Sequence, residues 1–559
     1  MTRPAALVLL AVFGVGVFLT GLELMITAVA LPAIILDFAR DPVFAFADLR
    51  KASWIVNGYL LAYVVMMPLA GRLSDLWGAR RLFLGALTLF IVGSALAGRA
   101  QSLDELIAAR LIQAIGGGVL VPVGTAAASH LFGGHDRPRA LGVVGALTFL
   151  GMAAGPFVGA AILDTVHVEP ALANAGVREG PLLDLLGPAW RWVFYLNVPI
   201  GLATLALGWA AFHGWDTPHR KGRVDVVGGI VFTIALAAGL VAVTLLGSRA
   251  SDELGADPRL ISAALFATAV VATIVTIVLG LRRKDPYLDP HLFRNIEFSS
   301  ATLVSLLTGY SFATAIIGGA VFVDRVLYGG PDVQRVALGA LASATAVGAL
   351  VSGFAVRVLS LRLVTLVGLA ASAIALTVMT RWGPDTSVGE LALVLGLFGL
   401  GFGLTVTPRS TAAVEAVGRR AFGMASATVT VARMIGMSAG LAVLTAYGST
   451  TIERLFNAVY ATSESYKLFI PEALRNRPLE DGLVVQALEA WAAGEAARIM
   501  VPIFLAAAVL TAVAVLPALA MGRRAGMLAP AASQARDAGP APKRGEPDGP
   551  DDVEPTLAL

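Results

Sequence analysis

The feature that constrains this chain most is a series of long apolar stretches, each near the about 20 residues that cross a bilayer as a helix. Backbone polar groups in lipid must bond within their own segment, so these stretches predict helices. Hydrophobic residues make up 57% of the 559 residues and charged residues only 14%, which excludes an ordinary soluble domain. The sequence therefore predicts an all-α polytopic membrane protein with fourteen transmembrane helices. The stretches lie at 6–35, 52–70, 82–98, 106–131, 139–163, 192–212, 225–247, 260–281, 298–327, 335–356, 363–381, 390–412, 422–447 and 497–521.

Basic residues mark every second connection between these stretches, for example Arg80–Arg81, Arg137–Arg139 and Arg282–Lys284. Lys and Arg accumulate in the cytoplasmic loops of membrane proteins, so this face is predicted to be cytoplasmic. An even number of helices then places both termini in the cytoplasm. Residues 523–559, rich in Pro, Ala and Gly, are predicted to form a disordered tail there.

The fifth and thirteenth stretches repeat each other. The start of one, Arg139-Ala140-x-Gly142, matches the start of the other, Arg420-Ala421-x-Gly423, 281 residues later. Two homologous six-helix bundles with two inserted linker helices explain the match, because transporters are often built from two repeats around a central site. The predicted units are 1–215, 216–297 and 298–522, with helical arms outside the cytoplasm at 448–496 and the tail at 523–559.

A short charged loop with the pattern G-x-L-x-D-x-x-G-x-R-R joins the second and third stretches. Its defining positions are held by Gly71, Asp75, Gly78, Arg80 and Arg81. The pattern and its place between these helices resemble the loop that marks the major facilitator superfamily. The resemblance implies a cytoplasmic gate, with Leu76 and Ala79 standing where the family usually has basic residues. An ordinary positive-inside loop is the alternative.

Two charged residues lie deep within apolar stretches. Glu23 is in the first, and Arg433 is about three turns into the thirteenth. An ionised group at this depth costs roughly 2.5–3.5 kcal/mol on the mildest scale, so each needs a partner. We expect each to be the counter-charge of the other across a central cavity. The alternatives are a structural pair with a neighbouring helix for Glu23 and carbonyl hydrogen bonds for Arg433.

Further motifs resemble the fourteen-helix drug:proton antiporter branch of the superfamily. Segment 21–32 ends in Ala-Leu-Pro and carries Glu23 where that branch has Asp, and segment 190–201 resembles its sixth-helix entry. The resemblance implies that Glu23 carries the coupled proton and that Arg433 balances its charge.

Arg110 and Gln113 match the fourth-helix motif of the superfamily. The resemblance implies that Arg110 takes part in proton transfer or holds the buried network. Local pairing of Arg110 with Asp104 or Glu105 is the alternative.

Glycines at helical spacing in the fifth stretch resemble the motif associated with antiporters. They allow close helix approach, and the proline kinks the helix, so this stretch is predicted to act as a hinge together with the thirteenth. The predicted hinge residues are Gly151, Gly155, Pro156, Gly159 and Gly436.

An apolar stripe at helical spacing continues outside the membrane beyond the thirteenth stretch and before the last. We expect it to bind lipid or a partner, with self-packing of the two arms as the alternative. The stripe consists of Ile452, Leu455, Phe456, Val459, Leu483 and Trp491. A helix from about 480 to 521 would be roughly 60 Å long. The arms and the segment 431–434 resemble the mycobacterial triacylglyceride exporters, which work beside a periplasmic lipoprotein.

Several function classes are excluded by the inventory of residues. The chain has no phosphate-binding Gly-x-x-x-x-Gly-Lys-Ser/Thr loop, no cysteine, and six histidines without metal-ligand spacing. We therefore expect no enzyme activity, no cofactor, no metal and no nucleic-acid partner, and transport driven by a proton gradient.

The sequence as a whole predicts a proton-coupled secondary exporter of hydrophobic or amphipathic molecules that works by alternating access. A triacylglyceride-like lipid is the first expected substrate, and efflux of small lipophilic or cationic drugs is the alternative. A receptor or scaffold that transports nothing is a third class. The expected setting is a monomer in the bacterial cytoplasmic membrane, with a periplasmic lipoprotein as candidate partner.

Overall fold

The computed structural model describes residues 2–38, 49–133, 136–168, 174, 180–212, 215–217, 225–246, 258–284, 286–417, 421–459, 464–478 and 481–522. Within these ranges the protein is helical and contains no β-strand. The predicted tail at 523–559 lies outside them, as do the side chains of Ile452 and Phe456.

The helices are numbered here in chain order. They are α1 (Arg3–Phe38), α2 (Leu49–Trp77), α3 (Ala79–Arg99), α4 (Leu103–Leu131), α5 (Arg137–Thr165), α6 (Pro181–Leu186), α7 (Ala189–Tyr195), α8 (Asn197–Ala211), α9 (Val226–Leu246), α10 (Pro258–Arg282), α11 (Ile296–Arg325), α12 (Pro331–Val358), α13 (Leu361–Met379), α14 (Val388–Glu415), α15 (Phe422–Val459), α16 (Gly482–Val513) and α17 (Val515–Ala518). Short 3₁₀ turns lie at Pro290–Arg294, Ser465–Leu468 and Glu472–Leu474.

Twelve spans in the described residues are long and apolar enough to cross a membrane. They coincide with twelve of the fourteen predicted stretches. Helices α9 and α15 occupy the other two positions, and in α9 the apolar segment is the shorter Val226–Gly239. The all-α membrane architecture is therefore confirmed, while the number of full-length apolar spans is twelve.

Side-chain caps fix the starts of several helices. The hydroxyl of Ser102 accepts from the backbone N–H of Glu105, and Ser360 and Ser387 do the same for α13 and α14. Each cap satisfies one of the N–H groups that the first turn of a helix leaves unpaired. The short polar connections thereby set where each membrane helix begins.

Helices of the first half pack mainly on one another, through α1 with α5, α3 with α4 and α2 with α4. The second half repeats these pairs as α11 with α15, α13 with α14 and α12 with α14. The halves meet through α5 with α12 and through α2 with α15.

Helices α9 and α10 form a hairpin inserted between the halves, and α9 contacts both α2 and α15. Asp225, just before α9, closes the base of the hairpin. Its carboxylate pairs with Arg283 and accepts from the backbone N–H of Gly228 at 2.8 Å. The tip of the loop after α10 is held by Tyr287, which is buried against this base, and burial raises the pKa of its hydroxyl.

Candidate functional site: a buried charge network between the two halves

Glu23 lies in α1, about 30 Å along the helix axis from Arg3. Its side chain is completely buried, and both carboxylate oxygens are hydrogen-bonded. Oε1 pairs with Arg110 of α4 and accepts from the Thr27 hydroxyl at 2.9 Å. Oε2 accepts from the Asn197 amide, at the start of α8, at 2.6 Å. Three side chains from three helices thus surround one carboxylate.

Arg110 is itself held on every side. Its Nη1 also donates to the Gln113 side-chain oxygen at 2.6 Å, and its Nε donates to the Ile55 carbonyl at 3.3 Å. Its guanidinium lies 4.0 Å from the ring centre of Tyr59. Gln113 in turn donates to the Ser94 hydroxyl of α3 at 2.6 Å. A cation–π contact and three hydrogen-bond acceptors make this a rigid cation site.

The local alternative for Arg110 is wrong in this structure. Glu105 serves the turn at the start of α4, because its carboxylate accepts from the backbone N–H of Gln101 at 2.8 Å. Arg110 instead reaches across to α1, where the only described carboxylate within salt-bridge distance is that of Glu23.

The expected pairing of Arg433 with Glu23 is also wrong. The Glu23 counter-charge is Arg110, and Arg433 forms no ion pair with any described residue. The Nε of Arg433 is buried without a hydrogen-bond partner in the described part of the chain. The physical reason is register: α1 and α4 place Glu23 and Arg110 in direct contact, and Thr27 and Asn197 complete the hydrogen bonds to the carboxylate.

Arg433 lies near a second buried arginine, Arg409 of α14. The Arg433 guanidinium is 5.7 Å from the ring centre of Phe149, and that of Arg409 is 5.0 Å from Phe402. The two rings are themselves 5.6 Å apart, edge to face. Arg409 donates to the hydroxyl of Thr308 in α11 at 2.6 Å.

Two tyrosines of α2 connect the charged groups of the two halves. The rings of Tyr59 and Tyr63 are stacked with centres 5.8 Å apart. Tyr59 lies against Arg110, and Tyr63 is close enough to Arg433 for the two to interact electrostatically. The structure therefore brings Glu23 and Arg110 together and places Arg433 at the far end of the same buried series.

Asp75 lies within α2, because that helix runs to Trp77 and includes most of the predicted loop. It is at the interface of the halves, on the face with the basic loops (the basic face). Its carboxylate accepts from the backbone N–H groups of Gly423 and Met424 at 2.9 and 3.0 Å, at the N-terminus of α15. A carboxylate is favoured there because the helix dipole leaves partial positive charge. Gly71 faces Gly423 so closely that a Cβ on either would overlap the other's carbonyl.

The other loop residues have local positions. Gly78 precedes α3 with φ of 86°, a conformation that favours glycine. The backbone N–H of Arg80 donates to Asp216 at 3.0 Å, and Arg81 is exposed beside a lipid-facing groove of about 420 Å³. On the same face Arg137 pairs with Glu415 of the second half at 3.7 Å.

The predicted hinge glycines form helix contacts. A Cβ at Gly151, Gly155 or Gly159 would press on the α1 backbone or side chains, and one at Gly436 would overlap the Leu306 carbonyl of α11. Pro156 lies within α5. Equivalent helix pairs in the two halves are therefore joined by equivalent close contacts.

The arms pack largely on each other. Val459, Tyr466, Ile470 and Val484 form a small buried cluster beside the membrane helices, and the Trp491 ring lies 4.7 Å from that of Phe469. This favours the self-packing alternative for those members of the stripe.

The rest of the stripe is divided. Leu455 is partly buried against the membrane core, and Leu483 stays 49% exposed. Helix α16 begins at Gly482, and the Asp481 carboxylate caps it by accepting from the backbone N–H of Leu483 at 2.9 Å. This hydrogen bond, together with that from Arg477, lowers the pKa of Asp481. The 32 residues of α16 span about 48 Å, less than the predicted 60 Å, because the helix is interrupted at Ala514.

Sequence reasoning missed three groups in this region. Arg409 is a charge within an apolar stretch and was detectable by that criterion alone. Asn197 stands in a segment that was recognised only as a motif. Tyr59 and Tyr63 give no sequence signal, because aromatic residues are common in membrane helices. The described residues hold no cluster of three His, Asp or Glu suited to a metal.

Comparison with known proteins settles the family. The Major Facilitator Superfamily profile matches residues 13–441, well over half of the chain. The chain belongs to the major facilitator superfamily. Among its relatives is a triacylglyceride transporter of Mycolicibacterium hassiacum, 32% identical over 78% of this chain and 79% of the relative. Multidrug resistance protein 3 of Bacillus subtilis is 27% identical over 77% of each chain.

Solved structures show the same fold at low identity. The human organic anion transporter MFSD10 superposes with a TM-score of 0.54 at 16% identity, covering 91% of this chain and 100% of that one. A bacterial homologue of the lysosomal transporter Spinster gives 0.53 at 16% identity, covering 93% and 98%. This major facilitator protein is therefore a multi-pass membrane transporter by family and fold.

Proposed function

We propose that this chain is a proton-coupled secondary exporter of hydrophobic or amphipathic molecules, with lipids as the first substrate class. The observation that carries the proposal is the Glu23 site: a fully buried carboxylate in a membrane helix, held by Arg110, Thr27 and Asn197. Intramembrane ionisable residues are costly, and they mark proton or substrate pathways.

The surroundings of Glu23 suit both protonation states. As a carboxylate it accepts from the Asn197 amide, while the Asn197 Oδ1 is buried without a donor in the described residues. A protonated Glu23 has a hydroxyl to donate, and rotation of the Asn197 amide would present Oδ1 to it. Protonation also frees Arg110 from its only ionic partner. Loading a proton would thus change the contacts between α1, α4 and α8.

The contact of Asp75 with α15 would link this change to the opening of the cytoplasmic gate. Its two hydrogen bonds to the start of α15, together with the Arg137–Glu415 pair, hold the halves together on the basic face. With that face cytoplasmic, as its arginines indicate, the gate would be shut toward the cytoplasm in this state. Release of the Asp75 contacts would open it, with the glycine-lined helix contacts as hinges.

Lipid is preferred over drug because relatives named triacylglyceride transporters are 27–32% identical and those named multidrug proteins 26–27%. Drug:proton antiport is the second candidate on the strength of the latter. The arms would assist release, either alone or with a periplasmic lipoprotein. We place the protein in a bacterial cytoplasmic membrane as a monomer without cofactor.

The test uses purified protein in liposomes that enclose a pH-sensitive dye. Addition of a transported substrate should move protons in the opposite direction, so a signal with triolein supports lipid export. A signal with ethidium alone would favour drug efflux. Absence of substrate-dependent proton movement with either would contradict the proposal and favour a receptor or scaffold.

A further inference from the structure

The two arginines in the membrane helices of the second half, Arg409 and Arg433, have no role in the proposed proton site at Glu23. Arg409 is 2% exposed, and the Arg433 Nε is buried without a partner. Neither forms an ion pair with a carboxylate in the described chain, although Glu23 shows that such pairing occurs in the same membrane interior. Two like charges near one another in a low-dielectric setting repel, and a buried cation without an anion is unfavourable.

The geometry shows that both arginines belong to one site. Thr308 and Gly309 are consecutive in α11; the first accepts a hydrogen bond from Arg409, and the second packs directly on the backbone of Arg433. Phe149 and Phe402, each against one guanidinium, touch edge to face. Phe312 stacks on Phe402 with centres 4.5 Å apart. The result is two cations over a shared aromatic cluster, at the interface of α5, α11, α14 and α15.

These contacts do not balance the charge. Aromatic faces and one hydroxyl stabilise a guanidinium partially, but they supply no negative charge. The anion of the first half, Glu23, is paired with Arg110 and also accepts from Thr27 and Asn197. Tyr63 of the first half interacts with Arg433, but a tyrosine hydroxyl carries no negative charge at neutral pH.

We propose that Arg409 and Arg433 form the binding site for the anionic head group of an amphipathic lipid, a phosphate monoester or a carboxylate. This inference rests on the proposed export function and specifies its substrate class. Guanidinium groups match such oxygens by paired hydrogen bonds. A neutral triacylglyceride would leave both charges unbalanced, and a cationic drug would be repelled.

The test is native mass spectrometry of the purified full-length protein with three probes of matched chains: dioleoyl phosphatidic acid, dioleoylglycerol and triolein. We expect phosphatidic acid to bind at least ten-fold more tightly than dioleoylglycerol. The preference should fall about ten-fold in Arg409→Gln and in Arg433→Gln, and Arg433→Lys should restore part of it. The control is Arg498→Gln, because Arg498 is exposed and paired with Glu495 on α16. Thermal unfolding of each variant shows that it is folded.

Equal binding of the three lipids by the wild type, or an unchanged preference in both Gln variants, would overturn the inference. Competition by inorganic phosphate at the same concentration as the lipid would also overturn it, since the site would then take a free anion. Export in liposomes is measured separately. If the wild type exports triolein and shows no head-group preference, the proposed function is supported and only the anionic head-group site is rejected. Absence of proton-coupled flux would instead count against the proposed function.

Discussion

At the residue scale, Glu23 and Arg110 form the best-defined ionic contact in the membrane interior. Each is buried, and each has further hydrogen-bond partners that fix its position. Removing one member of a buried pair is costly because the other charge is left in a medium of low dielectric constant.

The first prediction concerns this pair. Arg110→Gln should destabilise the protein by about 3–5 kcal/mol, since Glu23 is left unpaired. Glu23→Gln in the same chain should recover much of the loss, giving a coupling energy far above the about 0.3–0.5 kcal/mol of independent sites. The measurement is a double-mutant cycle from unfolding in detergent.

The matched control is the cycle of Glu23→Gln with Arg433→Gln, which should be additive because these residues share no hydrogen-bond partner. Strong coupling in this cycle and additivity in the first would show that Arg433, and not Arg110, balances Glu23.

The depth of Glu23 and Arg433 was predictable from the sequence, because single charges within apolar stretches are visible there. The partner of each was not. Arg110 and Glu23 are 87 positions apart, and only the packing of α1 on α4 brings them together. The sequence allowed two roles for Arg110, a buried network or local pairing, because no local pattern specifies the register of one helix against another in a bundle.

At the scale of elements, the last turns of α2 and the start of α15 form one contact. Asp75 supplies acceptors for two N–H groups that the helix itself cannot satisfy. The facing Gly71 and Gly423 let the backbones approach closely enough for this.

The second prediction concerns this contact. Asp75→Ala removes both acceptors and should shift the population toward a state open on the basic face. Spin labels at Gly133→Cys and Arg357→Cys, one on each half, should then show longer distances by pulsed electron resonance. The chain has no native cysteine to interfere. Asp75→Asn, which keeps one acceptor oxygen, should have a smaller effect, and identical distance distributions in all variants would refute a gating role.

The third prediction separates the surface of the arms from their core. Leu483 and Val485 are 49% and 42% exposed, whereas Trp491 contacts Phe469 in the arm cluster. If the exposed face guides acyl chains, Leu483→Ser with Val485→Ser should lower lipid export several-fold and leave ethidium efflux and stability unchanged. Each methylene shielded from water is worth about 0.8 kcal/mol, so lipid alone needs this surface.

Trp491→Ser is the comparison, because it should loosen the arms and be detected as faster amide exchange at Tyr466 and Val484. Equal loss of lipid and drug transport in the surface variant would show that the arms act only in folding.

The extent of the arms was largely predictable, since the apolar stripe continues beyond the membrane in both helices. The packing of the two arms on each other was not predictable. Apolar residues such as Val459 and Trp491 have the same helical spacing whether their face contacts a partner or the other arm. The turns between Tyr466 and Leu474, which complete the cluster, carry no periodic signal.

At the scale of the whole molecule, the sequence repeat predicted that equivalent helices would pair in the two halves. The repeat did not predict that the two halves would differ in their buried charged residues. The first half contains the balanced pair of Glu23 and Arg110, and the second half contains Arg409 and Arg433 without described anions. The two halves thus place the proposed proton site and a cation-rich site on opposite sides of the stacked Tyr59 and Tyr63.

The central claim is that Glu23 carries the proton that drives export. Gradient-driven lipid export and gradient-free exchange can be measured on the same liposomes, comparing wild type, Glu23→Gln and Glu23→Asp. Glutamine keeps the shape of the side chain and one acceptor oxygen but cannot ionise, so gradient-driven export should fall to the level of empty liposomes while exchange persists. Glu23→Asp should retain partial coupling. Gradient-driven export at the wild-type rate in Glu23→Gln would contradict the account.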